Sequence, residues 1–203
     1  MKGISKKTAE LIQELSYEEG LGLPLSAVEK DLHVTEALAA ISTVENDHFM
    51  LVFSGGTCLS KGHGIIERFS EDIDIKVVLR EGYKPSSKNE LKKRLSELKK
   101  TVIDKLVSAG FPNEDLNIKS DNGNNYTQIN AYYEEMFPLT SQLRGSRVQI
   151  ELVVSDVQLP PLSLHLDTLF SKLSNTAHFP FRMNCIAVME TAAEKLVSFP
   201  RRL

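Results

Sequence analysis

The sequence predicts an α+β fold, a mixed sheet flanked by helices, and three observations carry that reading. Ile73 to Leu79 and Arg147 to Val154 are rich in β-branched residues, with polar or charged residues set between apolar ones, as in half-buried strands. Leu91, Leu95, Leu98, Val102 and Leu106 recur at steps of three and four, as on the buried face of an amphipathic helix. Between a short apolar run, Phe49 to Phe53, and the first of those strands stands a Gly55-Gly56 pair, where the backbone can turn as side chains would forbid.

The elements follow in order. Ser5 to Glu19 reads as a helix with Leu11, Ile12 and Leu15 on one face, ended by Gly20 and Gly22. Ser26 followed by Glu29 reads as a capping box opening a second helix, whose apolar stripe includes Leu32, Leu38 and Ile41. Lys30 and Asp31 then fall in a solvated first turn, and His33 on the helix surface or half-buried. The third helix closes at Gly110, and its other face carries Lys92, Lys93, Arg94, Lys99 and Lys100. That face reads as solvated, with an RNA-tracking patch as the sharper alternative. Strands are expected over Leu116–Lys119, Tyr126–Tyr133 and Arg147–Val154, the first two joined by a turn at Asp121 to Asn125. Leu166 to Leu173 reads as a short helix, and Val188 to Phe199 as a firmer one.

Bulk properties narrow the class. A length of 203 residues, with 41% hydrophobic and 25% charged residues, suffices for one domain with a real core. A net charge of −3 excludes a generally basic nucleic-acid coat, so RNA contact would have to come from local patches. No apolar run spans a bilayer, and the N-terminal stretch lacks the apolar core of a signal peptide. Cys58 and Cys185 have no metal-ligand spacing and read as reduced thiols of a cytoplasmic protein.

The chemistry concentrates between Phe53 and Val77. Asp72 and Asp74 lie two apart in an extended run, so both carboxylates point to one face while Ile73, Ile75 and Val77 take the other. Paired carboxylates repel, a cost that a hard divalent cation between them would offset. The Gly-Gly turn opening a helical turn presents backbone N–H groups to an anion. Together the two ends of this unit describe a site for a metal-bound polyphosphate. Ser60 and Lys61 follow Thr57 by one helical turn, where Lys61 either contacts a phosphate or is exposed. His63 falls in a bend between Gly62 and Gly64, and Arg68 stands where it can pair with the carboxylates in the absence of metal. Glu151, alone among apolar neighbours, is costly to bury unless it is paired or bound to metal.

At these residues, GGTCLSK followed by RFSEDIDI, the chain resembles the AbiEii-type nucleotidyltransferases. Those are the toxin half of type IV toxin–antitoxin and abortive-infection systems, within the DNA polymerase β-like superfamily. The resemblance extends upstream to Val28–Thr35, similar to the family's EKDYWVT stretch, and downstream to Glu190–Leu196, similar to its AEKL helix. It implies a polymerase β-like nucleotidyltransferase fold over residues 1–203, with N-terminal helices at 1–45, a catalytic sheet core at 46–160, and the start of a helical part at 161–203. Family members continue into a helical region with a further acidic motif that has no match here, so a chain truncated before that region is the expectation.

The resemblance also implies a third carboxylate on a neighbouring strand, with Glu151 the candidate and Asp156 the alternative, a nucleotide-contacting lysine at Lys195, and a matching arginine at Arg202. The expected activity is transfer of a nucleoside monophosphate from a nucleoside triphosphate to an acceptor hydroxyl, with Mg²⁺ or Mn²⁺ held by Asp72, Asp74 and Glu151. Ser54, Gly55, Gly56, Thr57, Lys61 and Lys195 form the nucleotide-binding set. RNA, tRNA ends first, is the implied acceptor, with a protein side chain second, and an antitoxin protein is the implied partner. The alternative is a catalytically inactive module of the same fold that works by binding a protein. A kinase is disfavoured, because the chain lacks both the P-loop pattern and the protein-kinase signatures.

Overall fold

A computed structural model describes residues 1–19, 23–66, 71–139, 143, 145–169, 171 and 180–198 of the chain. In order it forms α1 (Lys6–Glu19), α2 (Leu25–Ser42), β1 (Phe49–Ser54) and α3 (Gly55–Thr57), which runs into a π turn at Cys58–Gly62. Then come β2 (Asp72–Leu79), α4 (Lys88–Ser108), β3 (Leu116–Asp121), β4 (Tyr126–Tyr132), β5 (Arg147–Val154), β6 (Leu162–Leu166), β7 (Phe181–Cys185) and α5 (Val188–Ser198).

The strands make one mixed sheet in the order β3-β4-β5-β2-β1-β7-β6. Strand β2 lies at its centre, antiparallel to β1 and parallel to β5. Alternation sends Ile73, Ile75 and Val77 of β2, Val148, Ile150 and Leu152 of β5, and Ile129 and Ala131 of β4 into one core. Val34, Leu38 and Ile41 of α2 and Leu95, Leu98, Val102 and Leu106 of α4 close that core. Each such side chain removed from water contributes roughly 1.5–3 kcal/mol. Ser87 caps α4 by accepting from the Glu90 amide, and the polar face of that helix is solvated. The tight turn between β3 and β4 is built by Asn122, Gly123 and Asn124, all with positive φ.

Several expectations are corrected. The sheet does not stop at residue 160, because β6 and β7 extend it beside β1. Leu166 ends a strand where a helix was expected to begin, and residues 170 and 172–173 of that expected helix lie outside the described residues, as do Arg68, Phe199 and Arg202. On α1 it is Ala9 and Ile12 that are buried, while Leu11 is exposed. Cys58 and Cys185 are free thiols, as expected, and both are buried.

The largest departure is α2. Its N-cap is Pro24 with no side-chain cap bond, and Ser26 lies buried inside the helix with its hydroxyl unpartnered. Glu29, the other half of the expected box, instead accepts the Met136 and Phe137 amides at 2.8 and 3.0 Å. Nor is the first turn solvated, for Glu29, Lys30 and Asp31 are all buried and His33 is fully so. Lys30 pairs with Glu71 and donates to the Gly145 carbonyl. Asp31 accepts from Lys61 at 2.7 Å and from the Leu169 amide at 2.6 Å, and His33 stacks on Tyr133. These charges tolerate burial because each has an opposite charge or a set of backbone amides within reach.

Removing one partner of such a pair strands the other. Asp31→Ala is expected to cost about 3–5 kcal/mol in urea unfolding, because the Lys61 ammonium stays buried. A loss below about 1 kcal/mol, the scale of an exposed pair, would contradict the burial described.

Candidate active site

The site is assembled where β1 hands over to α3, directly against β2 and β5. The register pairs Ser54 with Asp74 across β1 and β2, and Asp72 with Gln149 and Asp74 with Glu151 across β2 and β5. Paired residues share a face, so Asp72, Asp74 and Glu151 stand together on the side of the sheet away from the α2–α4 core. Asp156 lies past the strand end, where its carbonyl faces Lys76, and it is not part of this group. Glu151 is the carboxylate beside Asp74.

The Gly-Gly turn touches this group. Gly55 has φ +74°, and a Cβ placed on it would come 1.9 Å from Asp74 Oδ2. No other residue type fits there, both for its backbone angle and because the carboxylate occupies the space. Two hydroxyls lock the turn to the strand: Ser54 Oγ donates to the Asp74 carbonyl at 3.1 Å, and Thr57 Oγ1 to the Asp72 carbonyl. Both hydroxyl protons are thereby directed at β2, which leaves the backbone N–H groups of Gly55 and Gly56 as the donors this turn can aim into the cleft.

Electrostatics single out Asp74. Burial, then the Glu151 and Asp72 carboxylates, push its carboxyl up to about 6, and the Lys195 ammonium of α5 opposes the shift. Glu151 also accepts from Gln149 at 3.0 Å and, weakly, from Gln128 of β4 at 3.4 Å. Tyr126 reaches the same carboxylate, and burial followed by the Glu151 charge pushes its phenol upward.

Lys61 is not brought to this group. Its ammonium bonds Asp31 at 2.7 Å, Thr35 Oγ1 at 2.8 Å and the Asp167 carbonyl at 3.1 Å, so all three of its donors are engaged. It is neither exposed nor aimed at a phosphate, and it ties the end of the π turn to α2. His63, in the bend that follows, contacts the Ile186 carbonyl at 2.8 Å.

Gln149, Gln128 and Tyr126 were missed as neighbours of Glu151. Only Gln149 left a signal, two positions before it on the same strand. Also unforeseen is Lys76, one row beyond Asp74, which pairs with Glu190 and Glu194 of α5. Glu190 further accepts the Gln158 and Leu159 amides, both at 3.0 Å. Those contacts fix α5, and with it Lys195, over the sheet. They also border an open cleft of about 670 Å³ lined by Lys76, Asp156, Leu159, Met189 and Val197.

Among the described residues no three His, Cys, Asp or Glu side chains converge closely enough to cage an ion by themselves. Carboxylates gathered on one face, at mutual electrostatic cost, nonetheless suit Mg²⁺ arriving with a nucleotide. That ion takes one or two carboxylates and completes its shell with phosphate oxygens and water. No helix among the described residues is long and apolar enough to cross a membrane.

Comparison with known proteins identifies a family and a similar fold. The family described as nucleotidyl transferase AbiEii toxin, type IV toxin–antitoxin system, matches residues 36–203. No curated protein sequence matches. Among solved structures the chain is similar to MenT4, a nucleotidyltransferase toxin from Mycobacterium tuberculosis H37Rv, with a TM-score of 0.57 and 20% identity. The match covers 98% of this chain and 60% of that one, so the likeness is one of fold over part of a longer protein.

Two consequences are measurable without a substrate. The folded value of Asp74, about 6, lies above its ordinary value of 3.8, so folding favours the protonated form. The stability this group contributes is present below about pH 4 and is lost as pH rises through about 6. Asp74→Asn should therefore stabilise the metal-free protein at pH 7 by about 1–3 kcal/mol and flatten its stability over that window. Equal pH dependence in wild type and variant would refute the shift. Gly55→Ala should cost more than about 1 kcal/mol in thermal unfolding, since it adds backbone strain to a steric clash.

Proposed function

The chain belongs to the AbiEii family of nucleotidyl transferase toxins of type IV toxin–antitoxin systems, and from that premise we propose that it transfers a nucleoside monophosphate from a nucleoside triphosphate to an acceptor hydroxyl. The observation that carries the reading is the row Asp74–Glu151, with Asp72 one step away, packed against a glycine turn that no side chain can enter. A divalent cation, Mg²⁺ or Mn²⁺, held there with the incoming phosphates would neutralise charge on them and polarise the acceptor hydroxyl.

The chain's own residues then have distinct tasks. The Gly55 and Gly56 amides hold the β- and γ-phosphates, and the missing Cβ of Gly55 lets the Asp74 carboxylate sit directly against that turn. The Ser54 and Thr57 hydroxyls position the turn through the carbonyls of Asp74 and Asp72, and do not themselves hold phosphate. Lys195 offsets the negative charge of the triphosphate. Glu151 takes the proton of the attacking hydroxyl or orients it, aided by the amide of Gln149. Attack on the α-phosphorus forms one P–O bond to the acceptor and breaks the bond to the pyrophosphate, which departs along the glycine turn. RNA is the acceptor class proposed, with tRNA ends first, and an antitoxin protein is the proposed partner in a cytoplasmic setting.

Label transfer from each α-labelled nucleoside triphosphate, with Mg²⁺ or Mn²⁺ and total cellular RNA and protein, tests the proposal. Wild type should label an acceptor, while Asp74→Ala should lose about 10²–10³-fold or more of the rate and keep its fold by circular dichroism. Near wild-type transfer by Asp74→Ala would sink the assignment.

A further inference from the structure

The sheet extends well beyond the carboxylates, and its outer strands bear on the acceptor. In-line displacement requires the attacking and leaving oxygens to stand on opposite sides of the phosphorus. If the pyrophosphate leaves along the Gly55–Gly56 turn, at the β1 side of Asp74, the acceptor enters from the β5 side. Beyond β5, among the described residues, the sheet continues through β4 and β3. An acceptor reaching Glu151 must therefore cross the cleft face of those strands.

The register defines that face residue by residue. Asp74 pairs with Glu151, Glu151 with Gln128, and Gln128 with Lys119. One row over, Asp72 pairs with Gln149, Gln149 with Asn130, and Asn130 with Asn117. The next row on β4 and β5 pairs Tyr132 with Arg147. At roughly 4.8 Å between strands, Lys119 lies about 14 Å from Asp74, the span of a few nucleotides.

The chemistry of the face is that of unpaired RNA. Tyr132 is 36% exposed and offers a ring on which a base can stack. Arg147 makes no ion pair among the described residues, and Lys119 is exposed on the edge strand. They place two cations at the outer margins of an otherwise carboxylate-bearing face, where a phosphodiester needs them, although Asp121 at the far end of β3 adds a negative charge. Asn130 is 8% exposed, and its Oδ1 has no hydrogen-bond partner. A buried acceptor left open in this way is costly unless a ligand donor reaches it. Amides read the edges of bases that are not already paired.

We propose that the cleft face of β5, β4 and β3 is the acceptor-binding surface, and that it takes a single-stranded RNA end through stacking on Tyr132 and phosphate contacts to Arg147 and Lys119. The inference rests on the nucleotidyl-transfer reading for its direction of approach. Its test is a binding measurement that needs no transfer.

Fluorescence anisotropy with a labelled, short single-stranded RNA bearing a free 3′-hydroxyl gives the RNA Kd. A non-hydrolysable nucleoside triphosphate with Mg²⁺ gives the nucleotide Kd. Tyr132→Ala and Arg147→Ala should each weaken RNA binding by roughly tenfold or more and leave the nucleotide Kd unchanged. Tyr132→Phe should restore wild-type binding, and Lys119→Ala should lower the salt slope by about one. Unaltered melting temperatures show that the variants are folded. The proposal is overturned if wild type does not bind the RNA, if neither alanine variant weakens it, if both Kd values shift together, or if label in the transfer assay enters protein instead of RNA. RNA binding that shows this pattern without any label transfer would support the surface and reject the nucleotidyl-transfer reading.

Discussion

The Asp74 carboxylate is wedged between a glycine turn and two further carboxylates, and much of the fold exists to keep it there. Three negative charges on adjacent strands repel, and burial makes the repulsion worse by lowering the effective dielectric. The chain offsets part of that cost through Gln149 and Gln128, whose side-chain amides donate to Glu151. It fixes the strand from one side by Ser54 and Thr57, whose hydroxyls hold the carbonyls of Asp74 and Asp72. It fixes the turn from below through Lys61, whose ammonium is gripped by Asp31 and Thr35 of α2. Lys30, the neighbour of Asp31, pairs with Glu71, the residue immediately before Asp72. One helix thus anchors both ends of the motif.

This arrangement separates two kinds of charge. The Lys30–Glu71 and Lys61–Asp31 pairs are buried and internally matched, so they specify position and leave little for a ligand. The Asp72, Asp74 and Glu151 carboxylates are half-buried and crowd one another enough to raise the Asp74 carboxyl, a cost that a cation between them would lower. The upward-shifted Asp74 carboxyl and its close approach to Gly55 are two expressions of that crowding. Such a site suits a divalent cation that arrives with phosphate oxygens to complete its shell.

Much of this was legible in the sequence. The D-x-D strand, the Gly-Gly turn and Arg147–Val154 were all readable because strand alternation and glycine freedom are local rules. Glu151 was readable because a lone carboxylate among apolar residues demands an explanation. The role of Lys61 was not readable, since its partners Asp31 and Asp167 lie 30 and 106 positions away and no periodicity links them. For the same reason Lys30 and Asp31 looked solvated: a charged first turn is ordinary, and only tertiary contact distinguishes a buried one. The short strands β6 and β7 were missed because five residues with mixed burial give no clear period.

The central claim is that the carboxylate row and the glycine turn together bind a metal-complexed triphosphate. Its most direct test is a crystal of the protein with Mn²⁺ and a non-hydrolysable nucleoside triphosphate, read by anomalous scattering. The account predicts a manganese peak coordinated by Asp72 and Asp74, with the β- and γ-phosphates against the Gly55 and Gly56 amides. A triphosphate bound away from that turn, or manganese that avoids Asp74, would contradict it.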